Sequence, residues 1–228
     1  MTQGLPDVGR DAERALLEGR YAEAERLAVA AVEGVVEAGS LSALPKLLLT
    51  LQEARRQRRM DALDGGVWFG DVSGADAALA GSSPLAVALR GAGSTERLLA
   101  VLADRAAGRD VEAVVWRPAD GGAVEVGVWS SAGAPPRWAL VSGLRMDDVS
   151  ASASASASGG GGGGGAHAWM RMQEASGDAA RVEAEGAASP GARFGALWRA
   201  AWGLPSHEKL HHGLLEAARA WSREGVRS

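Results

Sequence analysis

A chain of 228 residues with 46% apolar and 23% charged residues carries enough hydrophobic material for one large domain or two small ones. A net charge of -4 excludes a global basic field that would draw in nucleic acid or an anionic membrane, and the absence of cysteine excludes a disulfide framework and thiolate chemistry. The N-terminal run MTQGLPDVGRDAERALLEGR has no apolar signal core, and no uncharged apolar stretch approaches the ~20 residues of a membrane span, so the expectation is a cytoplasmic protein.

From Asp7 to Met60 the pattern is helical. Ala12, Ala15 and Leu16 mark the inner face of a first helix, and Ala24, Leu27, Ala28, Ala31, Val32 and Val35 that of a second, with Gly19 and Arg20 between them. Gly39 suits a C-cap. Ser42 is then expected to cap a third helix whose first turn accepts Pro45, with Leu44, Leu47, Leu48, Leu51 and Ala54 along one side.

Beyond Gly65 the period changes to two. Val67 to Phe69 and Leu85 to Leu89 read as short strands, Ser94 to Ala107 as a helix, and Val111 to Arg117, Ala123 to Ser130 and Arg137 to Met146 as strands separated by ADGG and SAGAPP turns. The tract Ser150 to Ala166 alternates Ser and Ala and ends in seven glycines; it buries too little apolar area to offset its ordering entropy, so disorder is expected. Ala168 to Glu174 and Ala180 to Glu185 read as two more strands around an SGDA turn. Five consecutive strands would then form an antiparallel meander, with the tract as an enlarged loop inside it. From Ala192 to Arg227 the pattern is helical again: Phe194, Leu197, Trp198, Ala201 and Trp202 form one stretch, Leu204-Pro205-Ser206 breaks it, and Ser206 caps a last helix with Leu210, Leu214, Ala218 and Trp221 on one face.

Within residues 7–38, Gly19 at a turn, Tyr21 two residues later, Ala24 and Ala31 fall where a glycine exit, a groove-filling aromatic and close-packing alanines are needed in a helical hairpin. The run resembles a single tetratricopeptide repeat, although Val36 stands near the place where that family usually carries proline. The resemblance implies a non-enzymatic interaction or scaffold protein that binds another protein or peptide, with Tyr21 on its contact surface.

Three further segments are candidates for chemistry. His207-Glu208-Lys209-Leu210-His211 fits HExxH, which places both imidazoles about 40° apart on a helical wheel. The motif is similar to that of zincin metalloproteases, and the resemblance implies zinc held by His207 and His211 with Glu208 as general base. Lys209 and the break at Pro205 depart from the family pattern, and no third ligand follows. Arg90 to Glu96, RGAGSTE, lies between a strand and a helix but lacks the Lys of a Walker A loop and the third glycine of a dinucleotide fingerprint. Arg55, Arg56, Arg58 and Arg59 sit near the end of the third helix, where cations offset the helix dipole while remaining solvated; without interleaved aromatics they argue against nucleic acid and offer a surface for an acidic partner.

The expected fold is α+β: an N-terminal helical hairpin plus a third helix (1–63), a mainly antiparallel sheet with a covering helix (64–188, with a disordered loop at 150–166), and two C-terminal helices (189–228). The expected function is protein or peptide binding without catalysis; the alternative is a zinc-dependent hydrolase using His207, Glu208 and His211.

Overall fold

The computed structural model describes residues 5–81, 84–91, 94–128, 137–157 and 163–225. Helices α1 (Leu5–Leu17) and α2 (Tyr21–Glu37) form the expected hairpin. Its turn is a Schellman motif: Arg20 N–H bonds to the Ala15 carbonyl, Gly19 N–H to that of Leu16, and Gly19 takes φ +73°, which only glycine adopts cheaply. The same motif recurs at Gly39. Helix α3 (Leu44–Asp64) follows a short 3-10 turn, Leu41–Ala43, and has Pro45 in its first turn. Ser42 lies inside that turn and its side chain caps nothing, so the expected Ser42 cap is replaced by continuous helical backbone.

Strand β1 (Val67–Asp71), helix α4 (Val72–Gly81), strand β2 (Leu85–Arg90), helix α5 (Ser94–Ala106) and strand β3 (Val111–Pro118) come next, then β4 (Ala123–Val128) and β5 (Arg137–Arg145). The sheet order is β1-β2-β3-β4-β5. Pairs β1–β2 and β2–β3 are parallel because α4 and α5 are crossovers, while β3–β4 and β4–β5 are antiparallel. The α+β class therefore holds, but the sheet is mixed rather than mainly antiparallel. Leu85, Val87, Leu89, Val111, Ala113 and Val115 face α4 and α5 through Ala75, Leu79, Leu98 and Val101.

The largest departure from expectation follows β5. Helix α6 (Met146–Ala157) and helix α7 (Gly163–Glu185) occupy most of the Ser/Ala tract and both segments read as strands four and five; residues 158–162 lie outside the described residues. The first three strands of the expected meander stand as antiparallel β3, β4 and β5, while its last two, and the expected disorder over 150–157 and 163–166, are corrected to two helices covering the second face of the sheet. Their spacing explains why: Ala168, Trp169, Met172, Gln173, Ser176, Ala180 and Ala184 are the buried positions of α7, a helical stripe running through the supposed turn at Gly177. Trp169 is fully buried and its indole N–H donates to the Val87 carbonyl at 3.2 Å, while the Ser176 hydroxyl donates to the Gly127 carbonyl at 2.8 Å.

Helices α8 (Pro190–Gly203) and α9 (Glu208–Gly225) complete the chain. Ser189 caps α8, accepting from Ala192 N–H, with Pro190 at the first helical position. Phe194 stacks with Trp198 at 6.1 Å and meets Trp221 at 5.6 Å. These two helices share one core with α1, α2 and α3 and with Ala180 and Ala184 of α7, so segments 1–63 and 189–228 are two parts of one helical layer. Among the described residues no helix is long and apolar enough to cross a membrane.

A helical α7 and a stranded one assign opposite faces to neighbouring residues. Trp169→Ala is expected to cost about 3–5 kcal/mol in urea unfolding, as for other fully buried aromatics, and Met170→Ala, on the exposed side, less than about 1 kcal/mol. A larger loss from Met170 than from Trp169 would contradict the helix.

Candidate functional site

The HEKLH segment opens α9, and each of its five residues is engaged with a different element. His207 is the residue before the helix, and its Nδ1 accepts the Leu210 N–H at 3.1 Å, so the imidazole does the capping expected of Ser206. Ser206 is buried and turned the other way: its hydroxyl accepts from Gln173 Nε2 at 3.0 Å. The Glu208 carboxylate pairs with Arg59 of α3 at 2.8 Å, and Arg59 also donates to the Ser206 carbonyl at 3.1 Å. Lys209 Nζ sits 2.9 Å from both Glu174 and Asp178 of α7. Leu210 is in the core, and His211 Nε2 bonds to the Pro205 carbonyl at 2.7 Å.

This geometry has consequences for metal binding. Glu174, Asp178 and His207 are the one group of three potential ligands among the described residues whose donor atoms lie within 4.8 Å of one another, and His211 is not in it. Because Nδ1 of His207 receives an N–H, the neutral ring keeps its proton on Nε2, which therefore offers no lone pair toward Glu174 at 3.9 Å. The ammonium of Lys209 already provides the cation between the two carboxylates. The side chain of Glu208, expected as a base, is held by Arg59.

Both imidazoles are buried, and the His207 ring lies against Gly177, where an added Cβ would stand 2.2 Å from Nε2. Glycine inside α7 is thus explained by close approach of the ring rather than by a turn. Burial pushes the His207 pKa down, a shift only partly offset by Glu174 and Asp178. For His211, burial and then the charge of Arg55 lower it to about 3.

A second constellation lies at the base of the α1–α2 hairpin. Glu25 of α2 is buried and accepts from three guanidiniums: Arg55 Nε at 2.8 Å, Arg58 Nη1 at 2.8 Å and Arg105 Nη2 at 2.9 Å. Arg58 also donates to Asp110 at 2.8 Å and to the Arg105 carbonyl at 3.0 Å, and Arg105 pairs with buried Glu112. Burial alone would raise the Glu25 pKa, but the combined charges of Arg105, Arg55 and Arg58 outweigh it and hold the carboxyl well below its ordinary value.

The solvated basic surface expected at Arg55, Arg56, Arg58 and Arg59 is therefore corrected: Arg55 and Arg58 are buried in this cluster. Arg56 is exposed and paired with Glu53, and Arg59 is tied to Glu208. Arg55 and Arg58 continue the stripe of Leu44, Leu47, Leu48, Leu51 and Ala54, and Glu25 falls on the apolar face of α2 beside Ala24 and Ala28. Those positions are the sequence signal for the cluster; Arg105 and Glu112 carry no comparable signal.

Tyr21 is half-buried at the start of α2, in a crevice of about 370 Å³ shared with Asp61 and Asp110. Of RGAGSTE, Arg90 lies over the Trp116 ring at 5.5 Å, Ser94 begins α5, and residues 92–93 lie outside the described residues. Two concavities are larger in interest. One, about 720 Å³, runs between β5 and α7 and is bordered by Leu140, Met170 and Val182. The other, about 260 Å³, has Glu25, Arg55, Arg58 and Arg105 in its wall. No protein-family model matches the chain, and neither do any curated proteins or solved structures.

Two outcomes follow from the buried charges. Glu25→Gln leaves three guanidiniums around a neutral amide and is expected to lower the unfolding free energy by about 3–5 kcal/mol, against less than about 1 kcal/mol for Glu13→Gln in the exposed pair with Lys46. The pH profile carries the second. A neutral buried His211 binds its proton far more readily when unfolded, so its contribution is complete above pH 6.5 and declines as pH falls toward about 3. Glu112, pushed up by burial, works in the opposite sense over part of that range. The His211→Gln variant should therefore show a shallower loss of stability between pH 6.5 and 4.5 than the parent, by at most ~1.4 kcal/mol per pH unit. Equal slopes would mean that His211 titrates normally in the fold.

Proposed function

We propose that the protein is a non-enzymatic interaction module that binds an extended segment of a partner protein along strand β5. The observation that carries this reading is that the outer edge of β5 pairs with no strand among the described residues and borders the apolar groove beside α7. Natural edge strands are usually blunted by charges, proline or bulges along their length. Here Arg137 and Arg145 stand at the two ends and an irregularity opposite Ala123–Glu125, with Gly143 at φ +69°, breaks the pairing toward Arg145, so the regular uncharged stretch is Trp138 to Leu140. Leu140 is 59% exposed and Val182 63% exposed, an unusual state for such side chains facing one groove.

An extended chain laid on this edge gains main-chain hydrogen bonds from β5 and places alternate apolar side chains over Leu140, Met170 and Val182. Arg171 limits the reach of such pairing, since it already donates to the carbonyls of Ser142 and Gly143. The support for partner binding thus moves from the hairpin to β5: Arg55 and Arg58 are too buried to meet a docked protein surface, and Tyr21 shares its crevice with Asp61 and Asp110. Zinc hydrolysis is the less favoured reading, because His207, Glu208 and His211 are each committed to a different contact.

Peptides selected from a random library against the full chain test the proposal by amide hydrogen exchange and backbone NMR shifts. The expected result is protection and shift changes centred on β5 and α7, with Leu140→Asp and Val182→Asp each weakening affinity at least tenfold, as loss of about 1–3 kcal/mol of apolar contact implies. Binding that maps elsewhere, or that survives both substitutions, would overturn it.

A further inference from the structure

We propose that the cavity beside Glu25 is a binding site for a small organic carboxylate. It measures about 260 Å³ and lies between α2, α3, α5 and the turn after α8. Its polar wall holds Arg26, Arg55, Arg58 and Arg105 against a single acid, Glu25. Both oxygens of Glu25 are already used, by Arg55, Arg58 and Arg105 together. Arg105 and Arg58 have second carboxylate partners in Glu112 and Asp110, whereas among the described residues Glu25 is the one ion-pair partner of Arg55.

Arg55 is more than nine-tenths buried, and its Nη1 has no hydrogen-bond partner among the described residues. A buried guanidinium short of hydrogen bonds is costly, and a negative charge in the adjoining cavity offsets the desolvated charge of Arg55. Burial, only partly relieved by Glu25, lowers the Arg55 pKa, the direction expected for a cation short of negative charge.

The rest of the wall decides the ligand class. Val29, Leu102 and Trp202 also line the cavity and give it apolar surface beside the arginines. A short hydrocarbon or aromatic body fits there, with its carboxylate toward Arg55. An inorganic anion would leave that apolar surface unused, and a phosphate dianion would need more free donors than this wall presents. The site shares no residue with the β5 groove, so it stands or falls independently of the peptide-binding proposal.

Benzoate and hexanoate are the probes, measured by isothermal titration calorimetry on the full chain alongside benzamide, hexanamide and inorganic phosphate. The expected result is saturable binding of at least one carboxylate in the millimolar range or tighter, with its neutral amide and phosphate at least tenfold weaker. Arg55→Met should abolish binding. Should that variant fail to fold, Val29→Trp fills the space at the apolar surface while leaving every arginine in place, and it should also abolish binding. Absence of saturable binding by both carboxylates, equal binding of an amide or of phosphate, or binding that survives in Val29→Trp would overturn the proposal.

Discussion

The carboxylate of Glu25 is the constraint around which the helical and sheet layers are fitted. Three guanidiniums from two other helices converge on its two oxygens, and a charge so placed is tolerable only with all of them in position. Because a guanidinium donates along fixed directions, the cluster dictates how α2 and α3 meet α5, which apolar contact alone would not. The chain of bonds then runs on from Arg105 to Glu112 of β3. Four elements of the fold, α2, α3, α5 and β3, are thus held in register by one polar network. Replacement of such a network by apolar side chains is often neutral or stabilising, so its value here is positional rather than a gain in net stability.

The HEKLH segment is the other fixed point, and it shows how a catalytic pattern can arise from packing needs. A helix that starts immediately after a proline-containing break needs an acceptor for its first N–H groups, and the imidazole of His207 provides one. The spacing of four to His211 puts the second ring on the same buried side, where it answers the Pro205 carbonyl of the same break. Glu208 and Lys209 project outward at 100° intervals and meet opposite charges on α3 and α7. The two histidines thus serve the break and the two charged residues fasten the new helix on both sides.

Much of the fold is legible in the sequence wherever the buried face is apolar and regular. The α1–α2–α3 spacing, all five strands and the break at Leu204 to Ser206 follow from period alone. Helix α4 is not legible, since VSGADAALAG is poor in large apolar residues; without it the parallel pairing of β1 and β2 has no cause. Helices α6 and α7 are misread for a related reason. Alternating Ser and Ala offers too little apolar area to suggest any ordered element, and SGD imitates a turn, yet the second face of the sheet supplies what local propensity lacks: a surface on which Trp169 and Met172 can be buried. At the candidate sites, the HExxH spacing is visible but not the partners that occupy it. The Arg55 and Arg58 positions are visible on the α3 stripe, while the Glu25 cluster needs Arg105 and Glu112, which approach from residues about 80 and 87 further along the chain.

The turn after α8 borders the arginine cavity through Pro205 and is joined through Lys209, four residues later, to Glu174 and Asp178, which line the β5 groove. Contiguity of this kind transmits a change only if the intervening element has two arrangements of similar energy. Here it has one. The His207 ring fills the notch at Gly177, the Ser206 hydroxyl is bonded to Gln173 and its carbonyl to Arg59, and His211 is tied back to Pro205, so any shift of the turn would break buried hydrogen bonds and collide with α7. The turn is therefore a rigid link between two separate surfaces, and occupation of one is expected to leave the affinity of the other unchanged.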